Sequence, residues 1–183
     1  DGTSDSSVQN PIHTYADTGV FTVTLVAYNA NGADTAIYSD FIEIKIGANA
    51  ASCQPTVINT SNDIGIYSVQ FNGINNTTGN LEEGYQDYSC AYYTTALIGS
   101  KHTFSVETGP SWNEDVRIWI DFDNNSIFNN TTELVMSYDN KLQYHSLEYI
   151  IPQNAVTDTM LRMRVSSDYA GGPATLSCDT LMF

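Results

Sequence analysis

Residues 121–133 read Asp-Phe-Asp-Asn-Asn-Ser-Ile-Phe-Asn-Asn-Thr-Thr-Glu. Oxygen-bearing side chains recur there at alternate positions, Asp121, Asp123 and Asn125, so a backbone that curls at this point turns them toward one centre. The Ile127 carbonyl adds a main-chain ligand and Glu133 closes the shell, a hard-oxygen donor set that suits Ca2+. The segment departs from the common calcium-loop pattern twice: Ser126 stands where the sharp turn favours Gly, and the acidic closure comes one residue late. The competing reading is an Asn/Asp-rich turn whose side chains hydrogen-bond their own backbone. Asp87 and Asp115 are further carboxylates that would add to the shell if the fold brings them close.

Other reactive residue types lack the spacing that catalysis needs. His13, His102 and His145 are far apart, and none stands in a HExxH helix or beside a GxSxG turn, so zinc hydrolysis and serine catalysis have no motif. Glu82-Glu83 and Glu114-Asp115 are paired carboxylates, but neighbours on a strand point to opposite faces and do not converge as acid and base. The sequence predicts no catalytic residue. Aromatic residues offer binding instead: Tyr85, Tyr88, Tyr92 and Tyr93 cluster, and Trp112 follows the turn-forming Gly109-Pro110-Ser111. Tyr92 and Trp112 are the side chains expected to stack on a sugar ring or anchor a protein partner. Trp119 alternates with Arg117 and Asp121, a pattern that does not decide which face is buried. Asn-x-Ser/Thr sequons occur at Asn59, Asn75, Asn76, Asn124, Asn129 and Asn130 and follow the composition.

Cys53, Cys90 and Cys178 have neither CxxC spacing nor adjacent histidines, which argues against zinc and for one disulfide with a thiol left over, in an oxidising compartment. The count alone leaves three pairings open.

The elements that must hold these residues are strands. Apolar residues alternate along Val20 to Tyr28, the Asn29-Ala30-Asn31-Gly32 turn follows, and a second β-prone run extends from Ile37 to Ile46. Residues 47–52, Gly-Ala-Asn-Ala-Ala-Ser, are small and aperiodic and read as a linker. Further strands are predicted over Ile66 to Phe71, Tyr85 to Tyr93, His102 to Thr108, Val116 to Phe122, Glu133 to Tyr138, Gln143 to Ile150 and Met160 to Ser166, the spacing of a β-sandwich. Only 6 Lys+Arg oppose 21 Asp+Glu, a net charge of −15 over 183 residues. The scattered basic residues form no patch for a phosphate backbone or an anionic bilayer, so neither nucleic-acid binding nor membrane insertion is expected. No apolar run approaches the roughly 20 residues of a membrane span. The start, Asp-Gly-Thr-Ser-Asp-Ser-Ser, is not a signal peptide, so any targeting signal is expected to have been removed or to lie outside this sequence.

Two resemblances emerge from these residues. Asp1-Gly2-Thr3, Asn10-Pro11 with His13 and Tyr15, Gly19-Val20-Phe21-Thr22-Val23-Thr24-Leu25 and Asn29-Ala30-Asn31-Gly32 resemble the second half of a PKD domain, an immunoglobulin-like sandwich of extracellular proteins. Phe71-Asn72-Gly73-Ile74-Asn75-Asn76-Thr77-Thr78-Gly79, Gly84-Tyr85-Gln86-Asp87-Tyr88, Val116 to Asp123, Ile151-Pro152-Gln153-Asn154-Ala155 and Leu161-Arg162-Met163-Arg164-Val165 are similar to the GEVED domain of secreted Bacteroidetes proteins. The resemblance lacks the closing motif that names that family, so each module is expected to be partial. The implied architecture is all-β with two β-sandwich domains: residues 1–46 as the C-terminal part of a PKD-like domain, 47–52 as linker, and 53–183 as a GEVED-like sandwich without its last strand.

The GEVED resemblance implies a Cys53–Cys178 disulfide, closing a loop of more than 120 residues, with Cys90 left as a small buried hydrophobe. It also places Asp-Gly where this chain has Asn125-Ser126. The implied role is a non-catalytic accessory, adhesion or spacer segment of a large secreted or cell-surface bacterial protein, stabilised by calcium. Its partners would be other domains of the same polypeptide and an extracellular protein or polysaccharide. The alternative is a carbohydrate-binding module of a polysaccharide-degrading enzyme, or a substrate-targeting module of a secreted protease.

Overall fold

The computed structural model describes residues 6–58, 63–78, 84–171 and 176–181. It is all-β, as expected, and divides into two compact units, Asp1–Ile46 and Gly47–Phe183.

The first unit is a hairpin of β1 (Gly19–Asn29) and β2 (Gly32–Ile44), paired antiparallel. The Asn29 side chain accepts a hydrogen bond from the Asn31 amide and closes the turn. Tyr15 lies against Phe21, while Leu25, Ile37, Tyr38 and Phe41 are exposed.

In the second unit, β3 (Thr56–Val57), β4 (Ile66–Phe71), β5 (Ile74–Thr77), β6 (Lys101–Thr108), β7 (Asn113–Ile120), β8 (Leu134–Leu142), β9 (Tyr144–Ile150), β10 (Met163–Tyr169) and β11 (Thr180–Leu181) follow in order. One sheet runs β5-β4-β6-β9 and the other β10-β7-β8; a short parallel pair joins β3 to β11. Alternation along β6 sends Phe104 and Val106 inward, and register places them opposite Phe71 and Val69 of β4. The second sheet answers with Val116, Ile118 and Ile120 of β7 and Met136 of β8, so the core fills the space between the two layers. Gln143, in the left-handed region at φ 56°, is the single residue that carries the chain from β8 in one sheet to β9 in the other.

Several sequence expectations change. Tyr85 to Tyr93 is not a strand: the Ser89 amide donates to Asp87 Oδ1, and the Ala91 and Tyr92 amides both donate to the Tyr88 carbonyl, so local turn bonds displace ladder bonds. Cys90 sits in that turn and is exposed rather than buried. In the other direction, β5 exists because Asn72 and Gly73 both take positive φ, 42° and 93°, forming a two-residue hairpin turn with β4. Trp119 is fully buried on the face of β7 that points away from the inter-sheet core, alongside Arg117 and Asp121. β7 is the central strand of its sheet and is covered on both faces, which is why alternation did not assign its sides. Of the expected sites, Asn59 and the Glu82-Glu83 pair lie outside the described residues.

Candidate metal centre

Where β7 ends, Asp121 and Asp123 enter a loop that returns to β8 at Glu133 and Leu134. One carboxylate oxygen each from Asp121, Asp123 and Glu133 lie within 4.8 Å of one another. Opposed ligands around Ca2+ stand about 5 Å apart, since each Ca–O bond is roughly 2.3–2.6 Å, so one ion fits between these oxygens. Asp121 and Glu133 are buried, while Asp123 opens to solvent and leaves an entry path.

Backbone amides fix the carboxylates. The Asn125 and Ser126 amides donate to Asp121 Oδ1 and Oδ2 at 3.0 and 2.8 Å. Glu133 accepts from the Asp123 amide at 3.3 Å and the Asn129 amide at 2.8 Å, one on each oxygen. A carboxylate offers about four lone-pair sites, so every oxygen that takes an N–H retains a site for a cation. Among the described residues no lysine or arginine pairs with the three acids. Three carboxylates thus face one point without a protein cation between them.

The carboxylates of three of the five residues expected as ligands, Asp121, Asp123 and Glu133, come together. Asn125 braces the loop: its Nδ2 donates to Asp123 Oδ2 at 2.9 Å and its Oδ1 accepts from the Ile127 amide at 2.7 Å. Ile127 has its side chain exposed, and its amide serves that brace. The two supplementary acids lie elsewhere. Asp87 pairs with Arg162 at 3.1 Å, and bonds from the Ser89 hydroxyl and amide, with that guanidinium, hold its carboxyl below the usual range. Asp115 accepts from the Asn140 amide at 2.7 Å.

The disulfide predicted from the resemblance is present. Cys53 and Cys178 are bonded, their Cα atoms 5.8 Å apart and 125 residues apart in sequence. Both cysteine-bearing segments are hydrogen-bonded to the acidic loop. The Ser52 amide donates to the Ser126 carbonyl at 2.7 Å. Ser177 donates through its amide to Asn130 Oδ1 at 3.1 Å and through its hydroxyl to the Phe128 carbonyl at 2.9 Å. Arg164 completes the seam: its guanidinium donates to the Ser177 and Cys53 carbonyls and stacks 4.5 Å over the Phe128 ring. Sequence reasoning passed over this arginine's role. Its signal was the alternation Arg162-Met163-Arg164, which sets two of only six basic residues two positions apart at the start of β10.

The remaining candidates separate. Glu114 and Asp115 point to opposite faces: Glu114 accepts from the Gly65 and Gly109 amides, both at 3.1 Å, and burial pushes its carboxyl up to about 7. His145 is buried, with Nε2 3.2 Å from the Thr108 hydroxyl, and burial pushes its pKa down to about 4. Tyr92 meets Tyr88 edge-on, whereas Trp112 meets Tyr169, so the two expected ligand-binding aromatics belong to different clusters.

Residues 115–182 contain the acidic loop. This segment matches the GEVED domain. The GEVED match takes in most of β7 and all of β8 to β11, and therefore the whole carboxylate triad, both arginines and Cys178. It does not extend to the hairpin unit. No curated protein and no solved structure matches the chain.

Proposed function

We propose that this chain is a non-catalytic, calcium-stabilised accessory segment of a secreted or cell-surface bacterial protein, serving as a spacer or adhesion element beside other domains of the same polypeptide. The observation that carries this reading is the placement of the Asp121, Asp123 and Glu133 oxygens within one cation's reach, in a loop hydrogen-bonded to both sides of the Cys53–Cys178 bond. An ion there ties the β7–β8 connection to the disulfide-linked seam, which is a structural role. The GEVED match, the disulfide and the acidic, lysine-poor composition support an extracellular setting. The hairpin's PKD-like motifs support the spacer component of the reading.

Isothermal titration with CaCl2 tests the ion. One site per chain is expected, with Mg2+ bound much more weakly because it demands a tighter octahedral shell. Asp121→Asn, which keeps size but removes charge, is expected to weaken calcium at least tenfold. Absence of calcium heat in the wild type removes the calcium component of this reading.

A further inference from the structure

At the edge of the sandwich where β7 starts and β10 ends, two large aromatic side chains remain in solvent. Trp112 is 46% exposed and Tyr169 40% exposed, with ring centroids 5.9 Å apart at 71°. They border an open groove of about 300 Å3 lined also by Ser111, Asn113, Asn140 and Ala170. That volume is at the small end of ligand sites.

The groove is built rather than incidental. The Asn140 amide is held by Asp115 Oδ1 at 2.7 Å, fixing a left-handed residue with φ 52°. Asn113 Nδ2 donates to Asn140 Oδ1 at 3.0 Å and to the Asn140 carbonyl at 3.3 Å, and the Asn113 carbonyl accepts from the Ala170 amide at 3.1 Å. One group of each side-chain amide, the acceptor Asn113 Oδ1 and the donor Asn140 Nδ2, is not used in that pairing. An adjacent acceptor and donor match a hydroxyl, which is both.

Charge narrows the ligand. The chain carries −15, yet among the described residues no carboxylate, lysine or arginine lines this groove. Of the charged neighbours, Glu114 lies between the sheets with Gly65 and Gly109, Asp115 holds the Asn140 backbone, Lys141 stands 4.2 Å over the Tyr138 ring, and Asp63 and Asp168 accept from the lining residues themselves, from the Ser111 hydroxyl at 3.2 Å and the Tyr169 amide at 2.9 Å. An indole face is negative and attracts the weakly positive C–H groups of a pyranose ring, and rigid aromatics provide contact area at small entropic cost.

We propose that the Trp112–Tyr169 groove binds a neutral sugar residue of a polysaccharide, with the ring on Trp112 and hydroxyls on Asn113 and Asn140. The site is separate from the carboxylate triad, and its binding is independent of calcium.

Affinity electrophoresis of the full chain, run in EGTA, tests this. Native gels contain mixed-linkage β-glucan, xylan or galactomannan, with polygalacturonate as the charged comparison. The wild type is expected to be retarded by at least one neutral polymer and not by polygalacturonate alone. Trp112→Ala should abolish the retardation, Trp112→Tyr retain part of it, Asn113→Ala weaken it at least tenfold, and Tyr92→Ala leave it unchanged. Melting curves confirm that each variant is folded. Wild-type mobility unaltered in every neutral gel, retardation by polygalacturonate only, or retardation that survives Trp112→Ala overturns the proposal.

Discussion

Ser126 takes a left-handed backbone, φ 73°, at the bend of the acidic loop. For an L-residue that conformation costs roughly 1–2 kcal/mol, and glycine avoids it while losing somewhat more chain entropy on folding. The bonds that matter at this position are main-chain ones, the amide to Asp121 Oδ2 and the carbonyl from the Ser52 amide, and both survive the loss of the hydroxyl. Ser126→Gly is therefore expected to stabilise the protein by about 0.5–1 kcal/mol in urea denaturation. A lower midpoint would show that the serine side chain contributes more than the strain costs. The need for glycine at this bend was readable in the sequence, as were the three acids, because alternate spacing and a late glutamate suffice to aim carboxylates inward. The bracing role of Asn125 was not, since only the folded loop shows its Nδ2 turned to Asp123.

Between elements, Glu114 is a buried polar tie. It lies on β7, but its carboxylate receives amides from Gly65, next to β4, and Gly109, next to β6, so it joins the two sheets. Gly109 is required there: a Cβ would fall 1.5 Å from the Asp63 carbonyl oxygen. Glu114 and His145 have opposite consequences for pH. Glu114 is raised from 4.5 to about 7, so the folded state binds the extra proton and stability falls as pH rises through that window. His145 is lowered from 6.5 to about 4, so the unfolded state binds the extra proton and stability falls as pH drops from 6.5 toward 4. The two largely offset between pH 4.5 and 6.5. Glu114→Gln removes one side of the balance, leaving His145, and is expected to lose stability steeply as pH falls from 6.5 to 4.5, where the wild type changes little. Urea midpoints measured at half-unit steps check this, and equal slopes for the two proteins would contradict it. The strands themselves were mostly legible, because β4, β6 and β9 have one covered face and alternate accordingly. β7 was ambiguous because both its faces are covered, and Tyr85 to Tyr93 misled because tyrosines favour strands while Asp87 and Tyr88 supply turn acceptors that win locally.

Over the whole molecule, few basic residues offset the acids. Of six lysines and arginines, Arg162, Arg164 and Arg117 serve as structural clamps, leaving the acidic loop with no protein cation among the described residues. The disulfide spans 125 residues, and chain-entropy models assign such closure about 5 kcal/mol. It holds together the segments that the acidic loop also joins, so an ion bound in that loop would act on the same seam of the 47–183 unit as the disulfide. The pairing followed from the family resemblance, since three cysteines by themselves allow three choices. What sequence did not show is that Arg164, Ser177 and Ser52 connect that bond to the loop, because residues this far apart in the chain meet only in the fold.

The central claim is that a calcium ion in the Asp121–Asp123–Glu133 loop stabilises this unit, and the most direct test is the thermal midpoint with saturating CaCl2 against excess EGTA. Calcium at about a hundred times its dissociation constant adds roughly 2.7 kcal/mol, which for a domain of this size raises the midpoint by about 5–10 °C. That rise is expected in the wild type and should vanish in Asp121→Asn. Equal midpoints for the wild type in calcium and in EGTA would contradict the account.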